Sequence, residues 1–475
     1  MNTKKKITYF IMGFSPIIMT IIHSIISKTN LFLGVPHNSD ELCYWRVLYS
    51  VSKNGFDFAS TCGILNHEAP IGPLGEHGLA TLFAWIGPLA IRNIGPHSLF
   101  LWNIIILTVA LIAFLIIVKP DKLTVATMAL IMFGNGVLIE QWYSHMMELP
   151  CVAIILICIA LQIRYEQFHN GHVFLFIVIC VFYASMMRIC YIVLLFPSLV
   201  VYLKDKKILT KCFTILMYLM SFGALRIFQK IFMKSAENSF NVSNDGSSAI
   251  ASLISNFKYN VTSYFSFSSG SIIEVSERYF QIIIIAILVI MFFKNKKYTY
   301  LLYAIELFTL IFMMILLYEV SSWRDVRTTM PLTIGVSFWL AYNMEIDTKN
   351  VYRYMLIGII ILSQVIFVPI EYKCNHPEDR FETRICDLKW VNDIKDSKTI
   401  VCLYNVSIGD RTKFELYKAL PGEMGIQMTN NLEDIEQYKN ISYIISSEEI
   451  NIQGFALKYI SEDFHYIYEN QDVIE

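Results

Sequence analysis

Four stretches of this sequence carry side chains able to do acid–base, metal or anion chemistry. Asp40 and Glu41 stand together shortly after the first apolar run, and adjacent carboxylates can act as a general base or bind a divalent cation. His67-Glu68-Ala69-Pro70 leads into Gly72-Pro73-Leu74-Gly75-Glu76-His77-Gly78, whose glycines and prolines describe a tightly specified loop. There His67 and Glu68 suit a metal or a phosphate, or ordinary turn chemistry. In Trp142–Glu148 the spacing of His145 and Glu148 is i, i+3, one face of a helix, although Glu148 before Pro150 also fits a plain helix N-terminus. The last stretch, Trp323-Arg324-Asp325-Val326-Arg327, offers arginines for bidentate phosphate recognition or, alternatively, an interfacial anchor with snorkelling cations. Arg188, Arg226 and Lys230 are further phosphate candidates.

The elements that must position these residues belong to a bilayer. Of the 475 residues 55% are hydrophobic and 16% charged, against roughly 25% charged in soluble domains. The mean hydropathy is +0.50. The net charge of -1 says nothing about nucleic acid, but no Lys/Arg run looks like a DNA-binding arm, so no nucleic-acid partner is expected. Ten cysteines form no CxxC pair, so no zinc ribbon or redox motif is visible. Cys151, Cys158, Cys180, Cys190 and Cys212 read as small packed hydrophobes, while Cys43 with Cys62, and Cys374 with Cys386, fall where disulfides could form. The run 7–27 after the N-terminal lysines is too long for a signal peptide and lacks a cleavage site, so it reads as a retained helix.

Apolar runs at 7–27, 98–118, 123–139, 149–163, 211–233, 279–293, 298–318, 328–343 and 351–370 approach the ~20 residues needed to span. Basic short loops all fall on the cytoplasmic side only if 173–203 crosses twice, hinged near Arg188, and 79–92 does not cross. That choice gives about eleven spans, with the N-terminus in the cytoplasm and the C-terminus outside. The outward segments are then 28–97, 140–148, 234–278 and 319–327, completing a transmembrane domain over 1–370. The polar tail 371–475 reads as a small extracytoplasmic α/β domain, with strands at Lys398–Tyr404, 441–445 and 465–468 and a helical turn at 413–420. Asn241 and Asn260 match glycosylation sequons.

An acidic pair after the first helix, a His- and Pro-bearing loop, a second acidic motif in the next outward loop and a C-terminal α/β domain resemble the GT-C superfamily. These are membrane glycosyltransferases that include bacterial aminoarabinose transferases and protein O-mannosyltransferases. The resemblance implies an all-α polytopic bundle with a small C-terminal α/β domain in the plasma membrane. It implies transfer of a sugar from a polyprenyl-phosphate-type donor to an extracytoplasmic glycolipid, polysaccharide or protein, with inversion. Asp40, with Glu41, matches the family's catalytic acid. His67-Glu68-Ala69-Pro70 sits where bacterial members carry a His-Pro-Pro-like motif, departing from it at Ala69. His145 and Glu148 take the place of the second acidic motif, and Arg324, Arg327 and Arg188 take the lipid phosphate by position. A divalent metal would be held by Glu148 with His67 or Glu68. The competing readings are an O-antigen or capsule polymerase, which usually lacks a terminal α/β domain, and a transporter or flippase, which would place paired charges inside the membrane.

Overall fold

In a computed structural model, the described residues are 3–31, 34–36, 39–54, 78–95, 97–142, 144–232, 246–317, 326–347, 350–370, 398–406, 410–419, 423–437, 441–461 and 465–471. The chain begins with α1 (Thr3–Gly13) and α2 (Ser15–Ser27), bent by 62° at Phe14 where Ser15 and Pro16 restart the helix. Then come α3 (Ser39–Asn54) and the short α4 (Gly78–Ala84) and α5 (Ile86–Ala90). Next are α6 (Ser98–Val118), α7 (Lys122–Gly134), α8 (Gly136–Trp142), α9 (Glu148–Phe168) and α10 (Gly171–Met187). A 3-10 segment, Ile189–Leu195, leads into α11 (Phe196–Leu203) and α12 (Ile208–Phe232). The helical part closes with α13 (Gly246–Phe265), α14 (Ile272–Asn295), α15 (Tyr298–Leu317), α16 (Val326–Asp347) and α17 (Asn350–Ser363).

By length and composition, six of these helices can cross a membrane, or eight if the bent pairs α1–α2 and α7–α8 each count once. The chain is therefore a multi-pass membrane protein, but the expected eleven crossings are not reached among the described residues. Two expectations about breaks hold. The stretch 173–203 divides at Arg188, whose extended backbone (φ −144°, ψ 116°) ends α10. Residues 79–92 form only the two short helices α4 and α5. Part of the polar segment 234–278 is the 20-residue helix α13, which the sequence reading did not mark. Its Asn260, the second sequon, is buried and donates to the Ile315 carbonyl, so it is not an exposed acceptor. Asn241 lies outside the described residues.

The centre of the bundle is α9, packed by α6, α10 and α16. It meets α16 closely at Gly335, where a Cβ would stand 2.6 Å from Ile155 Cγ2. Only glycine lets the two backbones come this near. By contrast Ile208, Leu209, Phe213, Leu216, Leu219 and Met220 on α12 are exposed, an apolar surface that suits lipid and not water. Cys151 and Cys158 are buried and Cys180 and Cys190 half-buried, but Cys212 is exposed on that same α12 face rather than packed. The pairings expected for Cys43 with Cys62 and Cys374 with Cys386 lie outside the described residues.

One end of the bundle gathers basic residues. Arg353 donates to both carboxylate oxygens of Asp121 (2.9 and 2.5 Å), Glu345 accepts from Asp121 N and Thr124 Oγ1, and Lys5 reaches the Lys119 carbonyl. Asp121 also caps α7 by accepting from Thr124 N. Burial alone would raise the Asp121 carboxyl, but the hydrogen bonds from Arg353 and Thr124 outweigh it and hold it below its ordinary value.

The tail forms a five-stranded mixed sheet of order β2-β1-β3-β5-β4. Its strands are β1 (Lys398–Tyr404), β2 (Glu423–Thr429), β3 (Tyr443–Ser446), β4 (Phe455–Ile460) and β5 (Tyr466–Asn470), with helices α18 (Asp410–Ala419) and α19 (Leu432–Gln437). The first three strands are parallel and the last two antiparallel. Alternation along the strands gives the sheet two apolar faces. Cys402, Tyr404, Ile444 and Tyr468 pack with Ile435 of α19. Val401, Leu403, Ile445 and Ile467 join the apolar cluster that continues into the helical bundle. The junction is Phe414 of α18 against Trp45 of α3, both fully buried, with ring centroids 4.5 Å apart.

Candidate active site

At the end of the bundle opposite Asp121, four elements bring the predicted residues together. In the first turn of α3, Asp40 and Glu41 are neighbours in sequence and so point about 100° apart around the helix. Asp40 keeps 35% of its side chain exposed and accepts a hydrogen bond from Arg327 Nη2 at 3.0 Å. Glu41 turns into the protein, is fully buried, and pairs with His145 Nδ1 at 3.0 Å. The two acids, grouped as catalytic from the sequence, therefore face different surroundings.

The 144–147 loop that carries His145 is fixed from below by α6. Asn103, buried in α6, donates to the Met146 carbonyl (3.0 Å) and accepts from Trp85 Nε1 (2.8 Å). Ser144 bridges Gln141 O and Met146 N. The loop then enters α9 at Glu148, whose side chain is fully buried. Arg188, at the break after α10, donates to Glu148 Oε1 at 2.6 Å. Arg327 Nε lies 3.8 Å from the same oxygen. Glu148 Oε2 accepts no hydrogen bond among the described residues. Tyr191, three residues past Arg188, donates to the Thr328 carbonyl beside Arg327 at 2.8 Å and ties the two arginine-bearing segments together.

The outcome is a row of alternating charges, Asp40–Arg327–Glu148–Arg188, buried at the Glu148 end and open at the Asp40 end. Its formal charge sums to zero, so the bundle carries it without a net ionic load, while Arg188 Nε–H has no acceptor among the described residues. Tyr44 stands one turn after Asp40, in electrostatic reach of Glu148, Arg188, Asp40 and Arg327. Burial, reinforced by the Glu148 charge, pushes its phenol well above the ordinary tyrosine range, so it stays a hydrogen-bond donor. The sequence held a signal for Tyr44 in its i, i+4 spacing from Asp40. It held none for Asn103 or Tyr191, which act across long sequence separations.

Of the other predicted residues, His67, Glu68 and Arg324 lie outside the described residues, as do the side chains of Arg226 and Lys230. Two guanidiniums face the Glu148 carboxylate, and His67 and Glu68, expected to complete a metal set with it, are not among the described residues. Among the described residues no three His, Cys, Asp or Glu side chains group as a metal site. Three further acids sit within the bundle. Glu277 accepts from Asn135 (2.7 Å) and Gln281. Glu166 accepts from Tyr303 and Trp339. Glu306 is buried, and neither of its oxygens has a hydrogen-bond partner among the described residues.

The chain is similar to a protein of known structure. That structure is ArnT from Cupriavidus metallidurans bound to undecaprenyl phosphate, matched over 95% of this chain and 97% of that chain, with a TM-score of 0.44 and 10% sequence identity. No protein-family model matches the chain, and no curated protein matches it.

Proposed function

We propose that this protein is a membrane glycosyltransferase of the GT-C type, moving a sugar from a polyprenyl-phosphate-type lipid to an extracytoplasmic acceptor. The observation that carries the reading is the Asp40–Arg327–Glu148–Arg188 row at one end of an apolar bundle. A partly exposed carboxylate beside two arginines at a membrane boundary is what transfer from a lipid phosphate requires. The lipid tail keeps the donor in the bilayer and presents its phosphate at that level.

In this reaction Asp40 takes the proton of an acceptor hydroxyl, and the oxygen forms a bond to the anomeric carbon from the face opposite the phosphate. The bond between that carbon and the phosphate oxygen breaks, its electron pair stays on the phosphate, and the configuration inverts. Arg327 and Arg188 stabilise the charge that develops on the leaving phosphate. Glu148 holds the two guanidiniums in place, and the Glu41–His145 pair fixes the start of α3 against the loop before α9. His67, Glu68 and Arg324 belong to the same proposal as further contacts to donor or metal. The site end and the α/β tail face outward, and the basic end with the N-terminus faces the cytoplasm, as the distribution of lysines favours.

The test is Asp40→Asn in the native host, with the surface glycan or glycolipid as readout. The product should disappear while the protein inserts normally; an unchanged product refutes the assignment. A transporter reading draws on one observation, the partnerless Glu306 inside the bundle. Glu306→Gln separates the two, since transfer should survive it and a proton- or ion-coupled transport cycle should not.

A further inference from the structure

We propose that Arg327 works in two positions: it holds Asp40 while the site is empty and turns to the donor phosphate when this arrives, releasing Asp40 to act as base. This deepens the proposed function and rests on its donor assignment.

The two ion pairs of the site differ in kind. Arg188–Glu148 is closed in, with side-chain exposures of 16% and 0% and a 2.6 Å contact. Arg327–Asp40 is open, with exposures of 25% and 35%. Arg327 Nε lies 3.8 Å from Glu148, beyond hydrogen-bond distance, and its Nη2 is the atom that reaches Asp40. Rotation about the side-chain bonds up to Cδ–Nε carries the planar guanidinium as a whole from one acceptor to another.

The pairing has a chemical consequence. Asp40 Oδ2 is engaged with a guanidinium N–H, and a lone pair so engaged does not take a proton from a hydroxyl. In the empty site one of the two Asp40 oxygens is therefore occupied by the arginine, and its departure frees that oxygen for the acceptor. A phosphate offers more charge and more acceptor oxygens than one carboxylate, in a geometry that matches the guanidinium fork. An exposed carboxylate pair is worth a factor of about five or less, so a phosphate displaces it readily. Donor arrival then frees the oxygen that the arginine held, which couples donor and base through this one side chain.

The experiment uses the full chain in lipid nanodiscs with geranylgeranyl phosphate as probe and geranylgeraniol as the control lacking phosphate. If Asp40 competes with phosphate for Arg327, then Asp40→Asn binds the probe more tightly than the wild type, by about fivefold. Arg327→Gln binds it more weakly, and in that background Asp40→Asn has no further effect. Asp40→Ser repeats the measurement should the Asn variant not purify as a folded protein. Equal or weaker binding by both Asp40 variants overturns the exchange while leaving the donor assignment standing. A wild-type protein that binds the phosphate no better than the alcohol sinks both.

Discussion

Replacing Glu148 is the sharpest test of the charged row, because burial makes its energetics large. The Glu148 side chain has no exposure, and Arg188 faces it at 2.6 Å with 16%. Glu148→Gln keeps the volume and an acceptor for Arg188 but deletes the charge, leaving a buried guanidinium without its closest counterion. Removing one partner of a buried pair costs about 3–5 kcal/mol, and the residual exposure of Arg188 places the expectation near the lower end, at about 3 kcal/mol. Arg188→Met should cost a similar amount, since Glu148 then keeps only the looser contact to Arg327 at 3.8 Å. The double variant Glu148→Leu/Arg188→Met removes both charges together, and apolar replacement of a whole buried pair is often near neutral. It should lie within about 1.5 kcal/mol of the wild type, against the roughly 6 kcal/mol that additive singles would give, a coupling of about 4.5 kcal/mol or more. Denaturant unfolding in mixed micelles can be followed by the thiol reactivity of Cys158, which is buried and reduced in the folded protein. Transfer should be lost in all three variants, so stability and activity part company in the double. A Glu148→Gln protein within about 0.5 kcal/mol of wild type, or a strictly additive double, would show that the row contributes little and that its geometry has another cause.

Further predictions concern other parts of the molecule. Because Asp121 is held below its ordinary value of 3.8, its ionised form stabilises the fold above that value, and this contribution disappears as pH falls through the lower folded value. Asp121→Asn should thus be less stable than wild type at neutral pH and indistinguishable from it in strong acid; thermal melts at several pH values would read this out, and a pH-independent gap contradicts it. Phe414→Ala empties a fully buried ring site between α18 and α3, at a cost of about 3–5 kcal/mol to that junction. Limited proteolysis should then cut the tail faster, and an unchanged cleavage rate would mean that the Trp45 contact does not hold the tail in place. Chelation by EDTA should leave transfer intact if arginines supply the charge stabilisation; loss of activity restored by magnesium or manganese would return a metal to the mechanism.

Much of the helical part was legible because a bilayer demands long apolar runs whatever the helices do next. The divide at Arg188 and the non-spanning 79–92 followed from where lysines are tolerated. The strands β1, β3 and β5 showed as short apolar runs, whereas β2 and β4 did not, because Gly425 and Gln427 interrupt one pattern and Lys458 the other. The helix α13 was hidden by its serines and asparagines, since its apolar residues recur on one face rather than in a run.

For the site, the sequence by itself determined the cast: Asp40, Glu41, His145, Glu148, Arg188 and Arg327 are unusual side chains for their apolar neighbourhoods, and their chemistry is readable without coordinates. Only the tertiary structure decided the pairings. Asp40 and Glu41 are adjacent yet diverge around a helix, so that one meets Arg327, 287 residues away, and the other His145, 104 residues away. Which acid is open and which is buried depends on the packing of α3 against helices distant in the chain, and no local pattern encodes that. The same holds for Glu148, which a sequence offers equally to a metal, a helix dipole or an arginine until Arg188 and Arg327 are seen on either side of it.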